Sequence, residues 1–147
     1  GVIPPKVHAK SGIKGDIIMH VTVTPIFAAL LGLIFFFLSL RTSLERRRAK
    51  VSLGDGGDKG LQAAIRAHGN FIEYVPISLL LLAFLEMRTV SVYVVTVLGV
   101  MLVAGRCLHA IGISRANASF RFRQIGAVLS LLVLLIGSLW LLYTYVI

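Results

Sequence analysis

Four long apolar segments constrain the fold of this chain more than any other feature. They cover residues 21–40, 65–85, 90–113 and 125–147. A helix needs about 20 apolar residues to cross the hydrocarbon core of a bilayer. Because lipid offers no hydrogen-bond partner to the backbone, such segments fold as helices that satisfy their own polar groups. The sequence therefore predicts an all-α integral membrane protein built as a bundle of four transmembrane helices.

The composition supports the bilayer as the solvent. Of the 147 residues, 57% are hydrophobic, and the mean hydropathy is +0.90. A soluble domain of this length has too little interior to hide so much apolar surface. The net charge is +9, and the basic residues cluster beside the apolar segments without the interleaving with aromatic residues along a groove that nucleic-acid binding favours. We interpret them as membrane-side anchors rather than a nucleic-acid surface.

The first eighteen residues are expected to lie outside the bundle. They contain two prolines, three glycines and three lysines. They lack the hydrophobic core and small-residue cleavage site of a signal peptide. Residues 1–18 are therefore predicted to form a flexible tail, with Met19 a plausible natural start. Residues 19–147 are predicted to form a single four-helix transmembrane domain.

The basic residues of the connections predict the orientation. Lysine and arginine are enriched in short cytoplasmic loops. The second connection offers only Arg88 beside Glu86, and nothing basic follows the fourth segment. The first and third connections are therefore predicted to be cytoplasmic, and both termini are predicted to face outward. The residues assigned to these two connections are Arg41, Arg46, Arg47, Arg48, Lys50, Arg115, Arg121 and Arg123.

A stripe of polar residues interrupts the start of the second helix. At 100° per residue, Gln62, Arg66, Asn70 and Glu73 fall within a sector of roughly 80° on one helix face. Tyr74 borders this sector, whereas His68, another candidate, lies nearly opposite. One interpretation is structural: Arg66 pairs with Glu73, or extends to lipid headgroups, while Asn70 joins helices. The other is functional, because an ionisable group at the centre of a membrane helix costs about 2.5–3.5 kcal/mol or more.

The third helix adds a second polar pair near the same membrane face. Arg106 and His109 are three residues apart and therefore share a helix face. Bonding between helices is again the structural alternative. Together the two helices present guanidinium groups, a carboxylate, amides and an imidazole. This mixture suits a small zwitterionic ligand with several carboxylates, because arginine binds carboxylates bidentately and Glu73 can accept an ammonium group.

These segments resemble a known family, the membrane-associated proteins in eicosanoid and glutathione metabolism (MAPEG). The stretch RAHGNFIEYVP at residues 66–76 resembles the second-helix signature of that family, and GRCLHAIGI at 105–113 resembles its third-helix segment. The stretch GDGGDKGLQAAIRAHGN at 54–70 is similar to the small bacterial members. The resemblance implies a left-handed four-helix bundle assembled as a homotrimer in a bacterial inner membrane. It also implies that glutathione binds between neighbouring subunits, open toward the cytoplasm.

The resemblance further implies which residues bind glutathione as a co-substrate, with no metal. Arg106 and His109 would approach from the adjacent subunit, and Arg41 would meet a glutathione carboxylate. His68 and Gln62 are weaker candidates. The full set of implied binding residues is Gln62, Arg66, His68, Asn70, Glu73 and Tyr74 on the second helix, together with Arg41, Arg106 and His109.

An arginine near the start of the fourth helix activates the thiol in many members of this family. The stretch SFRFRQIG offers Arg121 and Arg123, and Arg123 matches the commoner family form better. A guanidinium near sulfur favours thiolate over thiol. Either arginine is equally consistent with a membrane-side anchor. Ile113 replaces a ligand-contacting tyrosine of several mammalian members, which favours a general detoxifying transferase over an eicosanoid synthase.

Three functions are therefore compared. The leading hypothesis is a membrane-bound glutathione transferase or peroxidase acting on hydrophobic electrophiles. The alternative is a non-catalytic lipid-binding or scaffold protein of the same fold. A small transporter is the third, since intramembrane charges also mark translocation paths. Against a transporter, the charges gather near one leaflet and no inverted repeat of broken helices is visible in the sequence.

Overall fold

The computed structural model describes residues 21–114 and 120–147, and these residues form four α-helices. The helices are α1 (Thr24–Ala49), α2 (Lys59–Met87), α3 (Val92–Ser114) and α4 (Phe120–Val146). All four are long and apolar enough to cross a membrane, and the described residues contain no strand. The predicted all-α, four-span fold is confirmed. The predictions for residues 1–18 and for Arg115 lie outside the described residues.

Two helices extend past their apolar segments and include arginines that the sequence analysis assigned to connections. Helix α1 continues through Arg41 and the arginines at 46–48 to Ala49, and α4 already begins at Phe120, before Arg121 and Arg123. These arginines therefore lie on helical extensions into the two connections. Hydropathy marks the part of a helix that fits the hydrocarbon, whereas arginine favours helix almost as strongly as leucine does. The basic last turn of α1 also complements its helix dipole.

Helices α2 and α3 form the centre of the bundle. Each contacts all three other helices, whereas α1 and α4 make no contact with each other in the described part of the chain. Apolar side chains from all four helices form one core cluster around α2. Its most deeply buried members include Leu31, Leu82, Leu85, Val95, Leu102 and Val133.

The crossing of α3 and α4 is close because glycines line it. A Cβ atom on Gly126 would lie 2.5 Å from the carbonyl oxygen of Gly105 and 2.5 Å from the backbone nitrogen of His109. A Cβ atom on Gly112 would lie 2.6 Å from the backbone nitrogen of Arg123. Small residues allow membrane helices to approach until their backbones touch. The register of this antiparallel pair is therefore fixed beside His109 and Arg123.

The charged pair of the second connection binds helix ends on the side of the bundle away from this crossing. The Glu86 carboxylate accepts hydrogen bonds from the backbone N–H groups of Thr22, Val23 and Thr24, at 2.6, 2.7 and 2.8 Å. The Arg88 guanidinium donates to the Thr144 carbonyl oxygen at 2.6 Å, in the last turn of α4. An anion therefore lies at a helix N-terminus and a cation at a helix C-terminus, as the helix dipoles favour.

Replacing Glu86 with alanine is expected to lower the free energy of unfolding by about 1–2 kcal/mol, because three backbone donors lose their acceptor. The matched control is Glu45→Ala. Among the described residues the Glu45 carboxylate bonds only Arg48, one helical turn away on α1, and such pairs contribute little. Thermal unfolding in detergent measures both variants. Equal midpoints for the two would contradict the capping role of Glu86.

The loop between α1 and α2 is ordered by hydrogen bonds to its own ends. Asp58 caps α2 by accepting a hydrogen bond from the Leu61 backbone N–H at 2.8 Å. Arg48 donates to the same Asp58 oxygen at 2.6 Å, and Arg46 donates to the Gly54 carbonyl at 2.8 Å. The Leu61 N–H and then Arg48 hold the pKa of Asp58 below its ordinary value. This loop fixes where α2 begins, and with it the position of the polar stripe.

Candidate functional site

One cavity brings together polar residues from α2, α3 and α4. Its volume is about 540 Å³, which is within the usual range for small-molecule sites. It lies at the end of the bundle where the first and third connections are. Five residues that the sequence analysis proposed line it: Arg66, Asn70, Glu73, His109 and Arg123. Ile65, Gly69 and Ile113 complete the wall.

The buried side chain of Arg106 ties α3 to α2 and α4. It is only 2% exposed and donates to the Asn70 side-chain oxygen at 2.8 Å. It also donates to the backbone oxygens of Asn70 and Gly126, both at 3.3 Å, and its guanidinium lies over the Tyr74 ring at 5.1 Å. For Asn70, the structural interpretation as a link between helices is therefore confirmed.

The contact between Arg106 and Asn70 bears on one expectation. The resemblance implied that Arg106 and His109 reach the stripe from an adjacent subunit; within one chain, Arg106 already bonds Asn70 of α2, and His109 lines the same cavity as residues of α2. The reason is that α3 packs antiparallel to α2 and brings its C-terminal half beside the N-terminal half of α2. Within the described residues no carboxylate pairs with Arg106, and its Nε atom has no hydrogen-bond partner. A positive charge therefore remains beside the cavity.

Unlike Asn70, Arg66 and Glu73 do not join helices in the described parts of the chain. Both are exposed to the cavity, and neither makes a hydrogen bond or an ion pair in the parts of the chain that the structure describes. Seven residues along a helix separate their backbones by about 10 Å, and no ion pair joins the two side chains in the described parts of the chain. The direct pair that the structural interpretation required is therefore wrong, and two opposite charges remain available on the stripe.

The structure distinguishes Arg123 from Arg121. Arg123 lines the cavity, and its guanidinium lies 5.0 Å from the Phe120 ring centre. Its backbone is held against Gly112 of α3. Arg121 is exposed in the same turn of α4 and does not line the cavity.

The remaining candidate residues lie around the cavity without lining it. His68 packs on the α1 side of α2, stacked on Phe35 at 5.1 Å with its Nε2 atom 3.1 Å from the Ser39 hydroxyl oxygen. Gln62 is exposed on α2, and Tyr74 is half-buried beneath Arg106. Arg41 is half-buried on α1, which contributes no residue to the cavity.

The sequence analysis missed Ile65 and Gly69 as cavity residues. Gly69 follows Arg66 by three residues, so helical periodicity alone indicates that it shares the polar face. Its small size leaves open space, since no heavy atom lies within 4 Å of a Cβ placed there. Among the described residues, no group of three or more His, Cys, Asp and Glu side chains is placed to hold a metal ion.

The fold and the site define a multi-pass helical membrane protein with a cationic cavity at one end of its bundle. The sequence model of the MAPEG family matches residues 24–143, and the chain belongs to this family. It is similar to inner membrane protein YecN of Escherichia coli strain K12, with 36% identity over 121 residues, covering 80% of this chain and 91% of the relative. The YecN protein of Escherichia coli O6:H1 matches equally well. The chain is thus a multi-pass inner-membrane protein.

Proposed function

We propose that this protein is a membrane-bound glutathione transferase with peroxidase activity toward hydrophobic electrophiles dissolved in the bilayer. One observation carries the proposal: Arg66, Glu73 and Arg123 share an open cavity, and the described residues give none of them an ion pair or hydrogen bond. Charges near a membrane interior are costly. A charged ligand that binds all three explains why the chain retains them.

Glutathione matches these charges group by group. It has a carboxylate at each end, an ammonium group beside one of them, and a thiol between. In the proposed complex Glu73 accepts the ammonium group and Arg66 binds a carboxylate. The family resemblance proposes Arg41 for the other carboxylate. Asn70 is held by Arg106, so its amide nitrogen is oriented and available to donate to the peptide.

Arg123 is the proposed activator of the thiol. Its positive charge stabilises the thiolate over the thiol, and each unit by which a pKa falls corresponds to about 1.4 kcal/mol. The thiolate then attacks an electrophilic carbon, the sulfur–carbon bond forms, and the leaving group departs with its electron pair. With a hydroperoxide, the thiolate sulfur attacks the terminal oxygen, the oxygen–oxygen bond breaks, and the alcohol leaves after taking up a proton. A second glutathione then attacks the sulfur of the resulting sulfenic acid, which gives glutathione disulfide and water.

The assembly and orientation are part of the same proposal. The cavity is open on one side of the single chain, and a homotrimer places a neighbouring subunit against that side. The first and third connections face the cytoplasm, where glutathione is abundant. The apolar acceptor arrives laterally, because the outer faces of the helices are apolar and exposed to lipid.

The direct test is conjugation by the purified protein in detergent. We expect enzyme-dependent loss of a chlorinated aromatic acceptor in the presence of glutathione, and saturable glutathione binding in calorimetry. The inactive control is the double variant Arg66→Gln/Arg123→Gln, which lacks both side-chain charges. If the native protein neither conjugates nor binds glutathione, the proposal is wrong.

A second candidate, a non-catalytic lipid-binding protein, is favoured by a different cavity. A groove of about 360 Å³ lies between α1 and α2. Its lining is almost entirely apolar: Ala28, Leu31, Gly32, Phe35, Phe71, Ile72, Val75, Pro76 and Leu79. Such a groove fits an acyl chain. Binding of a fatty acid, with no thiolate absorbance when glutathione is added, would favour this function over the transferase.

A further inference from the structure

The imidazole of His109 is a buried group that the bundle itself does not use. The residue is 7% exposed and lines the cavity. Buried side-chain nitrogens nearly always have a hydrogen-bond partner, yet the His109 ring has none among residues 21–114 and 120–147. Neither ring nitrogen is fully enclosed by the protein. They are therefore open to the cavity, and a bound molecule is the available partner.

The helix crossing sets His109 beside Arg123. The backbone of His109 packs against Gly126, and the backbone of Arg123 packs against Gly112. Gly126 follows Arg123 by three residues, and Gly112 follows His109 by three. His109 and Arg123 therefore lie at the same antiparallel crossing of α3 and α4, within one helical turn of each other. Both side chains line the cavity.

The cavity contains few groups that can carry a proton. The charged groups that face His109 are Arg106 on its own helix, Arg66 and Glu73 on α2, and Arg123 on α4. Arginine does not release its proton at physiological pH. Glu73 is occupied by the ammonium group in the proposed complex. Among the described residues that line the cavity, the His109 imidazole is the remaining side chain with a nitrogen that can accept a proton.

We propose that His109 accepts the thiol proton of bound glutathione, an inference that rests on the proposed function. The sulfur–hydrogen bond breaks, its electron pair stays on sulfur, and the proton moves to the free ring nitrogen of His109. After the sulfur–carbon bond has formed and the leaving group has departed, His109 releases the proton to water. Arg123 and His109 thus have different roles. Arg123 determines the fraction of glutathione present as thiolate, and His109 determines the rate at which the thiolate forms.

Stopped-flow measurement of thiolate formation separates these two roles. The probe is glutathione, followed by the ultraviolet absorbance of the thiolate and by proton release to an indicator dye. In His109→Gln the rate of thiolate formation is expected to fall about 100-fold, with little change in glutathione affinity. The control is Arg47→Gln, whose side chain is exposed on α1 outside the cavity.

A second variant keeps the proposal testable if glutamine disturbs the crossing. In His109→Ala, added imidazole is expected to restore the rate in proportion to its concentration, which a purely structural histidine would not allow. Native rates in His109→Gln, or a rate in His109→Ala that imidazole does not restore, would overturn the role of His109 while leaving the transferase intact. Absence of binding and conjugation in the native protein would instead overturn the proposed function itself.

Discussion

Arg123→Gln is expected to lower the rate of glutathione conjugation by about 100- to 1,000-fold, the usual effect of removing one charge-stabilising group from a reaction centre. Glutamine retains hydrogen-bond donors and similar length but carries no charge to stabilise the thiolate. Glutathione should still bind, because Arg66 and Glu73 hold its ends in the proposed complex. The loss is therefore expected in the turnover rate and in the thiolate absorbance, with little change in affinity.

Arg121→Gln is the control for this prediction. Arg121 lies two residues away in the same turn of α4 and carries the same charge, but it does not line the cavity. A merely anchoring role at the membrane surface would make the two variants alike. The measurement is the pair of kcat and KM values for both variants in the same detergent. A large loss in Arg121→Gln with a native rate in Arg123→Gln would reverse the assignment.

Gly126→Ala is expected to destabilise the bundle by about 1–3 kcal/mol or more, as overpacking of a close contact does. The added methyl group would meet the backbone of Gly105 and His109 at 2.5 Å, and backbone atoms cannot rotate away as a side-chain end can. Helices α3 and α4 must therefore separate. This shifts His109 and the Gly126 carbonyl oxygen that accepts from Arg106, so conjugation should fall together with thermal stability.

Gly32→Ala is the matched control for that variant. Gly32 is exposed on α1, and nothing lies within 4 Å of a Cβ atom placed there. Alanine also favours helix over glycine, so this variant should unfold at the native temperature or slightly above it. A Gly126→Ala protein with native stability and native conjugation would contradict the close glycine crossing of α3 and α4.

The span count and the polar stripe could be predicted from the sequence because both depend on local properties. Twenty apolar residues in a row require a helix in lipid, whatever the rest of the chain does. A period of 3.6 residues places Arg66, Asn70 and Glu73 on one face without any tertiary information. The family signature then proposed the partners on α3 and α4 that the cavity contains.

The roles within that stripe could not be predicted, because they depend on how the helices pack. Nothing in the sequence distinguishes Asn70, which is bonded to Arg106, from Arg66 and Glu73, which have no partner among the described residues. Helical periodicity indicated only that His68 lies away from the stripe, and its contact with Phe35 required the structure. The Glu86 cap joins residues more than 60 positions apart, a separation that no local pattern reveals.

Calorimetric titration of glutathione into the native protein, Arg66→Gln and Glu73→Gln tests the central claim most directly. The claim is that the exposed charges of the stripe bind glutathione rather than stabilise the bundle. Each substitution removes a charged hydrogen bond to the ligand, so the affinity should weaken by about tenfold or more in each variant. Thermal stability should stay native. The controls Arg47→Gln and Glu45→Gln change the charge equally on α1, outside the cavity, and should bind as the native protein does. Native affinity in both stripe variants, or lost stability without lost affinity, would contradict the account.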